Sequence, residues 1–216
     1  MKYYKYNFDM KFLNILSIVF FIPFFILIIN LDLTGEIDFN FFILYFLFMF
    51  LHELLHGVGF MFNSFVKFKN IVFGACLEKG ILYCMCKQVV ERMHIFISLL
   101  FPFTFIGVFT FILGFYLNNK LLQLLSIFNI VGCVGDLCMF FNFIRLPKFK
   151  YVDLDDWTGL VLISEYDLSK YKLFGFDLSE SGNYGDLKLS SDFKKITVSM
   201  FSIIVFCFLV LGLFFI

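Results

Sequence analysis

The sequence predicts an all-α membrane protein with about five transmembrane helices, a small cytoplasmic β-hairpin and a short cytoplasmic α/β appendage. Three observations predict it. Of 216 residues, 61% are apolar and 16% charged, against about 45–50% and about 25% in soluble domains. Phe alone contributes 37 residues, more apolar surface than a water-soluble globule can hide. The apolar residues also fall into runs of about 20, the length of helix that crosses about 30 Å of hydrocarbon.

Met1–Met10 is a polar and aromatic tail with Lys2 and Lys5. The run Phe12–Leu31 follows; it exceeds a signal-peptide core and has no small-residue cleavage site, so it is expected to remain as a membrane helix. Phe39–Phe62, Ile95–Leu117 and Leu121–Ile144 supply three further spans, and Ile196–Ile216 a fifth. Pro23 and Pro102 lie inside spans, where neighbouring helices can satisfy the carbonyls they free. In the loop Asn63–Met93, strand-forming stretches Ile71–Leu77 and Ile81–Lys87 flank the turn signal Glu78-Lys79-Gly80, which predicts a hairpin. Pro147–Lys195 is too short and too polar for a large core of its own, and Ser179–Gly185 reads as a flexible loop. The expected division is a membrane core over 1–146 with its hairpin at 71–87, a small cytoplasmic segment over 147–195 and a closing helix over 196–216.

The basic residues give an orientation. Of 17 Lys and Arg, 16 fall in the N-terminal tail, the loop after the second span or the segment after the fourth, and only Lys120 falls in a loop on the other side. That other side carries Asp32, Glu36 and Asp38. By the positive-inside rule the N-terminus faces the cytoplasm and the C-terminus the outside, in a multi-pass protein whose immediate partner is the lipid bilayer. Net charge is +0, and no basic cluster interleaved with aromatics marks a nucleic-acid surface.

Ionisable groups within a bilayer are expensive, so each asks for a reason. The clear cases inside the spans are His52, Glu53, His56 and Asp136. The first three form His52-Glu53-Leu54-Leu55-His56. Two His at i and i+4 project from one helix face, where both imidazoles can reach one Zn²⁺ at about 2.0–2.1 Å. The Glu between them fits the general base of a metalloprotease, which takes a proton from a water that the metal activates. A catalytic zinc takes three protein ligands. The extended pattern H-x-x-G-x-x-H fails, because Phe62 stands where its last His would be, so the third ligand has to come from elsewhere. Asp136 is the remaining acid inside the spans, the alternative being that it merely pairs with a neutral polar group such as Asn129, and depth supports the ligand role. At 1.5 Å per residue His52 lies about 20 Å and Asp136 about 22 Å below the outer ends of their spans. Gly132 and Gly135 are expected to let the helices approach closely.

The remaining candidates are weaker. None of the six Cys forms a C-x-x-C pair; Cys84 and Cys86 share a strand face by period two, and the others behave as small hydrophobes. His94 sits at the edge of a span as an interfacial polar residue. Asp153, Asp155 and Asp156 read as a solvated acidic loop.

The layout resembles the membrane-embedded site-2 proteases, with H-E-x-x-H on one membrane helix and an Asp on a later one. It departs from them in reading Gly135-Asp136-Leu137 rather than Leu-Asp-Gly. More closely it is similar to a bacterial zincin-peptidase family, through HELLHG at 52–57, FGACLEKGILYC at 73–84, Pro102, and Asn129 with Gly135-Asp136. The resemblance implies a zinc-dependent endopeptidase that hydrolyses membrane-bound proteins or peptides, with His52, His56 and Asp136 on the metal and Glu53 catalytic. Asn129 then either binds an extended substrate backbone or orients Asp136. The hairpin either captures an unwound substrate by strand addition or covers the helix ends. Two other readings are a non-catalytic metal-binding scaffold or regulator, in which Glu53 would have no use, and a metal or proton transporter, which would want acids spread along a path rather than at one level.

Overall fold

The computed structural model describes residues 1–62, 66–76, 81–153, 159–181 and 194–196. The predicted turn 78–80, Asp155, Asp156 and the closing run beyond residue 196 lie outside them.

Helix α1 (Met10–Asn30) starts where the Asp9 carboxylate accepts from the backbone N–H groups of Lys11 and Phe12, satisfying donors that the first turn leaves without a partner. Helix α2 (Phe39–Met61) is capped in the same way by Asp38. The third apolar run forms a continuous rod from Arg92 to Tyr116. It comprises α3 (Arg92–Pro102), a π-helical stretch Phe103–Phe109 and α4 (Thr110–Tyr116). The fourth run, expected as one helix, is two: α5 (Lys120–Gly132) and α6 (Val134–Arg145), bent by 45°. Gly132 and Cys133 stand at the break, where glycine's low helix propensity favours an interruption. Among the described residues three helices are thus long and apolar enough to span a membrane, or four with the bent pair as one span.

The strands depart furthest from expectation. The Met1–Met10 tail contains β1 (Lys2–Phe8), and it sits inside a five-stranded antiparallel sheet of order β4-β5-β6-β1-β7. The other members are β4 (Val90–Glu91), β5 (Lys150–Asp153), β6 (Gly159–Ser164) and β7 (Phe176–Ser181). Tyr4 and Tyr6 are fully buried on the one face that period-two alternation gives them. Among the described residues the segment after Pro147 contributes strands and one 3₁₀ turn, Leu168–Lys170, in place of the expected α/β unit. Its Leu160, Leu162, Leu168 and Phe176 share a core with Tyr6, Phe60, Ile95 and Phe143. Of the expected loop 179–185, Ser179–Ser181 belong to β7 and pair with Tyr3, Tyr4 and Lys5.

This sheet constrains sidedness. It joins strands that precede α1, follow α2 and follow α6. Counting the bent pair as one span leaves an even number of crossings between those segments, as one sheet on one side of a membrane requires.

The predicted hairpin is present as β2 (Ile71–Cys76) and β3 (Ile81–Cys86). Lys194–Ile196, where the expected cytoplasmic segment ends and the last span begins, forms β8 and pairs with β2, which leaves β3 as an edge among the described residues. Lys87 N–H donates to Asn70 O at 2.9 Å. By antiparallel alternation Met85 and Tyr83 exchange bonds with β2, while the N–H groups of Leu82, Cys84 and Cys86 face away from it. Cys86 N–H accordingly donates to Asp153 Oδ2 at 2.7 Å.

Candidate metal centre

His52 and His56 lie one turn apart on α2, and Asp136 lies in the first turn of α6. A carboxylate is favoured there by the helix dipole. The two Nε2 atoms stand 3.1 Å apart. Asp136 Oδ2 is 3.2 Å from His52 Nε2, and Oδ1 is 3.5 Å from His56 Nε2. The three side chains each offer one ligand atom within 4.8 Å of the others.

The other imidazole nitrogens fix the tautomers. His56 Nδ1 lies 2.9 Å from the Ser98 carbonyl, which only accepts. His56 therefore carries a proton on Nδ1, and in the neutral ring the Nε2 lone pair turns inward. His52 Nδ1 lies 3.0 Å from Asn129 Oδ1. The Asn129 amide is oriented by its Nδ2, which donates to the Pro102 carbonyl at 3.1 Å. Oxygen therefore faces His52, which donates from Nδ1. Asn129 bonds to His52, and among the described residues it makes no bond to Asp136, which was one of the two roles open to it.

The Ser98 carbonyl depends on Pro102. Residue 102 has no N–H to give the carbonyl four residues back, which is Ser98. His56 fills that vacancy, and Ser98 Oγ returns a bond to the His56 carbonyl at 2.9 Å. The Pro102 carbonyl heads the π-helical stretch and takes Asn129. Close approach of α2 to α3 requires Gly59, since a Cβ there would come within 2.5 Å of Ser98 Cα. Ser98 had no signal in the sequence. Its role is carried by its backbone, and only the proline four residues on hinted that its carbonyl would be free.

The donor set fits a zinc ion. Ligands at about 2.0–2.1 Å in a tetrahedron stand roughly 3.3 Å apart, close to the separations observed. Two imidazoles that turn their Nε2 atoms toward each other, with a carboxylate beside them, make a cation site once both rings are neutral. Each imidazole is oriented by a bond from its far nitrogen, the usual support of a metal ligand.

Glu53 sits beside these groups, close enough to interact electrostatically with His52, His56 and Asp136, and it lies near the backbone N–H of Cys84 on β3. The hairpin edge thus faces Glu53 at Cys84 and holds Asp153 through Cys86. Asp153 also accepts from the Tyr151 hydroxyl, so it is an engaged group rather than part of a solvated acidic loop. His94, expected at an interface, is buried in the first turn of α3 and is not one of the grouped ligands. Gly132 and Gly135, expected at a close helix contact, have open space where a Cβ would point.

The comparison with curated proteins finds no match, and neither does the comparison with solved structures. Residues 45–151 match the family described as "Putative zincin peptidase". That stretch contains His52, Glu53, His56, Ser98, Pro102, Asn129 and Asp136, and through it the chain belongs to the zincin-peptidase family.

Proposed function

We propose that the protein is a zinc-dependent intramembrane endopeptidase that hydrolyses peptide bonds of membrane-associated proteins. The observation that carries this reading is the convergence of His52, His56 and Asp136 beside a Glu53 that is left out of the ligand group. A purely structural metal site has no use for such a carboxylate. When bound, zinc would supply Lewis-acid polarisation of a carbonyl and lower the pKa of water towards about 7. His52 and His56 present fixed Nε2 lone pairs because Asn129 and Ser98 hold their Nδ1 protons. Asp136 adds the negative charge. Glu53 receives a proton from water at a carboxylate oxygen and passes it to the leaving amine. Cys84 N–H lies near that carboxylate, which supports a positioning role for the hairpin besides covering the helix ends.

The peptidase family implies protein substrates, and the candidate spans support membrane-bound ones. The strands, including the hairpin, are assigned to the cytoplasmic side, supported by 16 of 17 basic residues on that side and by the shared sheet. The metal centre then lies nearer the cytoplasmic face of the cell membrane.

The test is digestion of casein by purified, zinc-loaded protein in detergent. Glu53→Gln should keep its zinc and lose activity by about 10²–10⁴-fold, the usual contribution of a general base. Undiminished activity in Glu53→Gln would sink the mechanism, and zinc binding without cleavage by the wild type would favour a metal-binding scaffold.

A further inference from the structure

Beside the metal centre lies a cavity of ≈ 210 Å³. Its walls are Tyr45, Phe48 and Met49 of α2, Phe128 and Gly132 of α5, and Leu82 of β3, and it ends on His52, Glu53 and Asn129. Apart from that end the lining is apolar. Apolar cavities of about 150 Å³ take up a benzene ring, so this one has room for a side chain of leucine or phenylalanine size. An aspartate or lysine side chain would lose its hydration there without gaining a partner.

Gly132 marks the cavity as open by construction. A Cβ at that position meets nothing within 4 Å, and the residue is exposed. The contrast is Gly59, where neighbouring backbone leaves no room. Glycine at 132 is therefore not required by packing. What it provides is space on the wall of a cavity that ends at Glu53. Leu82, whose N–H faces away from β2, lines the same space, so every second side chain of an extended chain paired with the hairpin edge is on the face of this cavity.

We propose that this cavity is a specificity pocket. It receives one apolar side chain, of leucine or phenylalanine size, from a residue flanking the bond to be cut, and Gly132 keeps it open. The assignment rests on the peptidase reading for its biological meaning, but the pocket can be probed without turnover.

The experiment uses the full chain, zinc-loaded in detergent, and measures binding of four amino-acid hydroxamates: leucine, phenylalanine, glycine and aspartate. Leucine and phenylalanine hydroxamates should bind about tenfold or more tightly than the glycine and aspartate compounds, the scale expected for burying such a side chain. Gly132→Leu should reduce that preference below about threefold with zinc content unchanged. Phe48→Ala, which enlarges the pocket, should move the preference from leucine towards phenylalanine. Equal affinity for all four probes, or a preference that both variants leave as it was, overturns the pocket. These readings stand whether or not casein is cleaved, so failure of the pocket and failure of the peptidase reading are separate results.

Discussion

The Ser98 carbonyl accepts the Nδ1 proton of His56 at 2.9 Å, and it is free to do so because the residue four positions on is Pro102. A membrane helix normally keeps every backbone carbonyl within its own ladder. Here one carbonyl is released by proline and bonded to a metal-ligand candidate from the neighbouring helix, and the carbonyl of Pro102 itself accepts from Asn129, which orients His52.

Pro102→Ala restores an N–H that competes with His56 for the Ser98 carbonyl. Zinc affinity should fall about 10–100-fold, the typical cost of losing an orienting partner of a ligand. Replacing the residue-102 amide by an ester, which again has no N–H, should recover most of that affinity. Unchanged zinc affinity in Pro102→Ala, measured by competition with a chelator, would remove Pro102 from the account.

Asn129→Ala leaves His52 Nδ1 without its acceptor and frees the ring to rotate. Zinc affinity should again drop by about 10–100-fold, while affinity for a substrate analogue lacking a metal-binding group should change less. The reverse pattern would return Asn129 to a substrate-binding role.

Much of this site was legible in the sequence, and the reasons are physical. The cost of charge in lipid singled out His52, Glu53, His56 and Asp136, and helix rise matched their depths. Three features were hidden. The break at Gly132–Val134 does not interrupt the apolar run, so one span and two bent helices look alike. Strand β1 is only seven residues long, and its alternation Tyr4, Tyr6, Phe8 was masked by the aromatic character of the whole chain. Its partners β6 and β7 are more than 150 residues away in sequence, and no local signal reports such pairing. The roles of Ser98 and Pro102 run through carbonyl oxygens, which no residue type advertises.

Gly59 is a packing requirement. Gly59→Ala would bring a Cβ to 2.5 Å from Ser98 Cα, so α2 and α3 must separate. Overpacking of this kind costs about 1–3 kcal/mol. Thermal unfolding in detergent should show a lower midpoint for Gly59→Ala, together with weakened zinc binding because the His56–Ser98 bond lengthens. Gly135→Ala, facing open space, should do neither.

Outside the spans, burial pushes the Asp153 carboxyl up to about 6, against the opposing effect of its bonds from Tyr151 and Cys86 N–H. The folded state therefore holds its proton more tightly than the unfolded chain. Stability falls as pH rises from about 4 through about 6 and is level above that, a change on the order of 2–3 kcal/mol. Asp153→Asn cannot ionise. Its melting temperature relative to the wild type should be higher at pH 7 than at pH 4.5. An equal difference at both values would mean that Asp153 ionises as freely in the fold as in water.

The most direct test is metal analysis of the purified full chain beside His52→Ala and Asp136→Ala. The geometry of 3.1, 3.2 and 3.5 Å among three ligand atoms predicts about one zinc per chain in the wild type and loss of it in both variants. A wild-type protein that takes up no zinc, or variants that keep it undiminished, would contradict the metal centre and everything built on it.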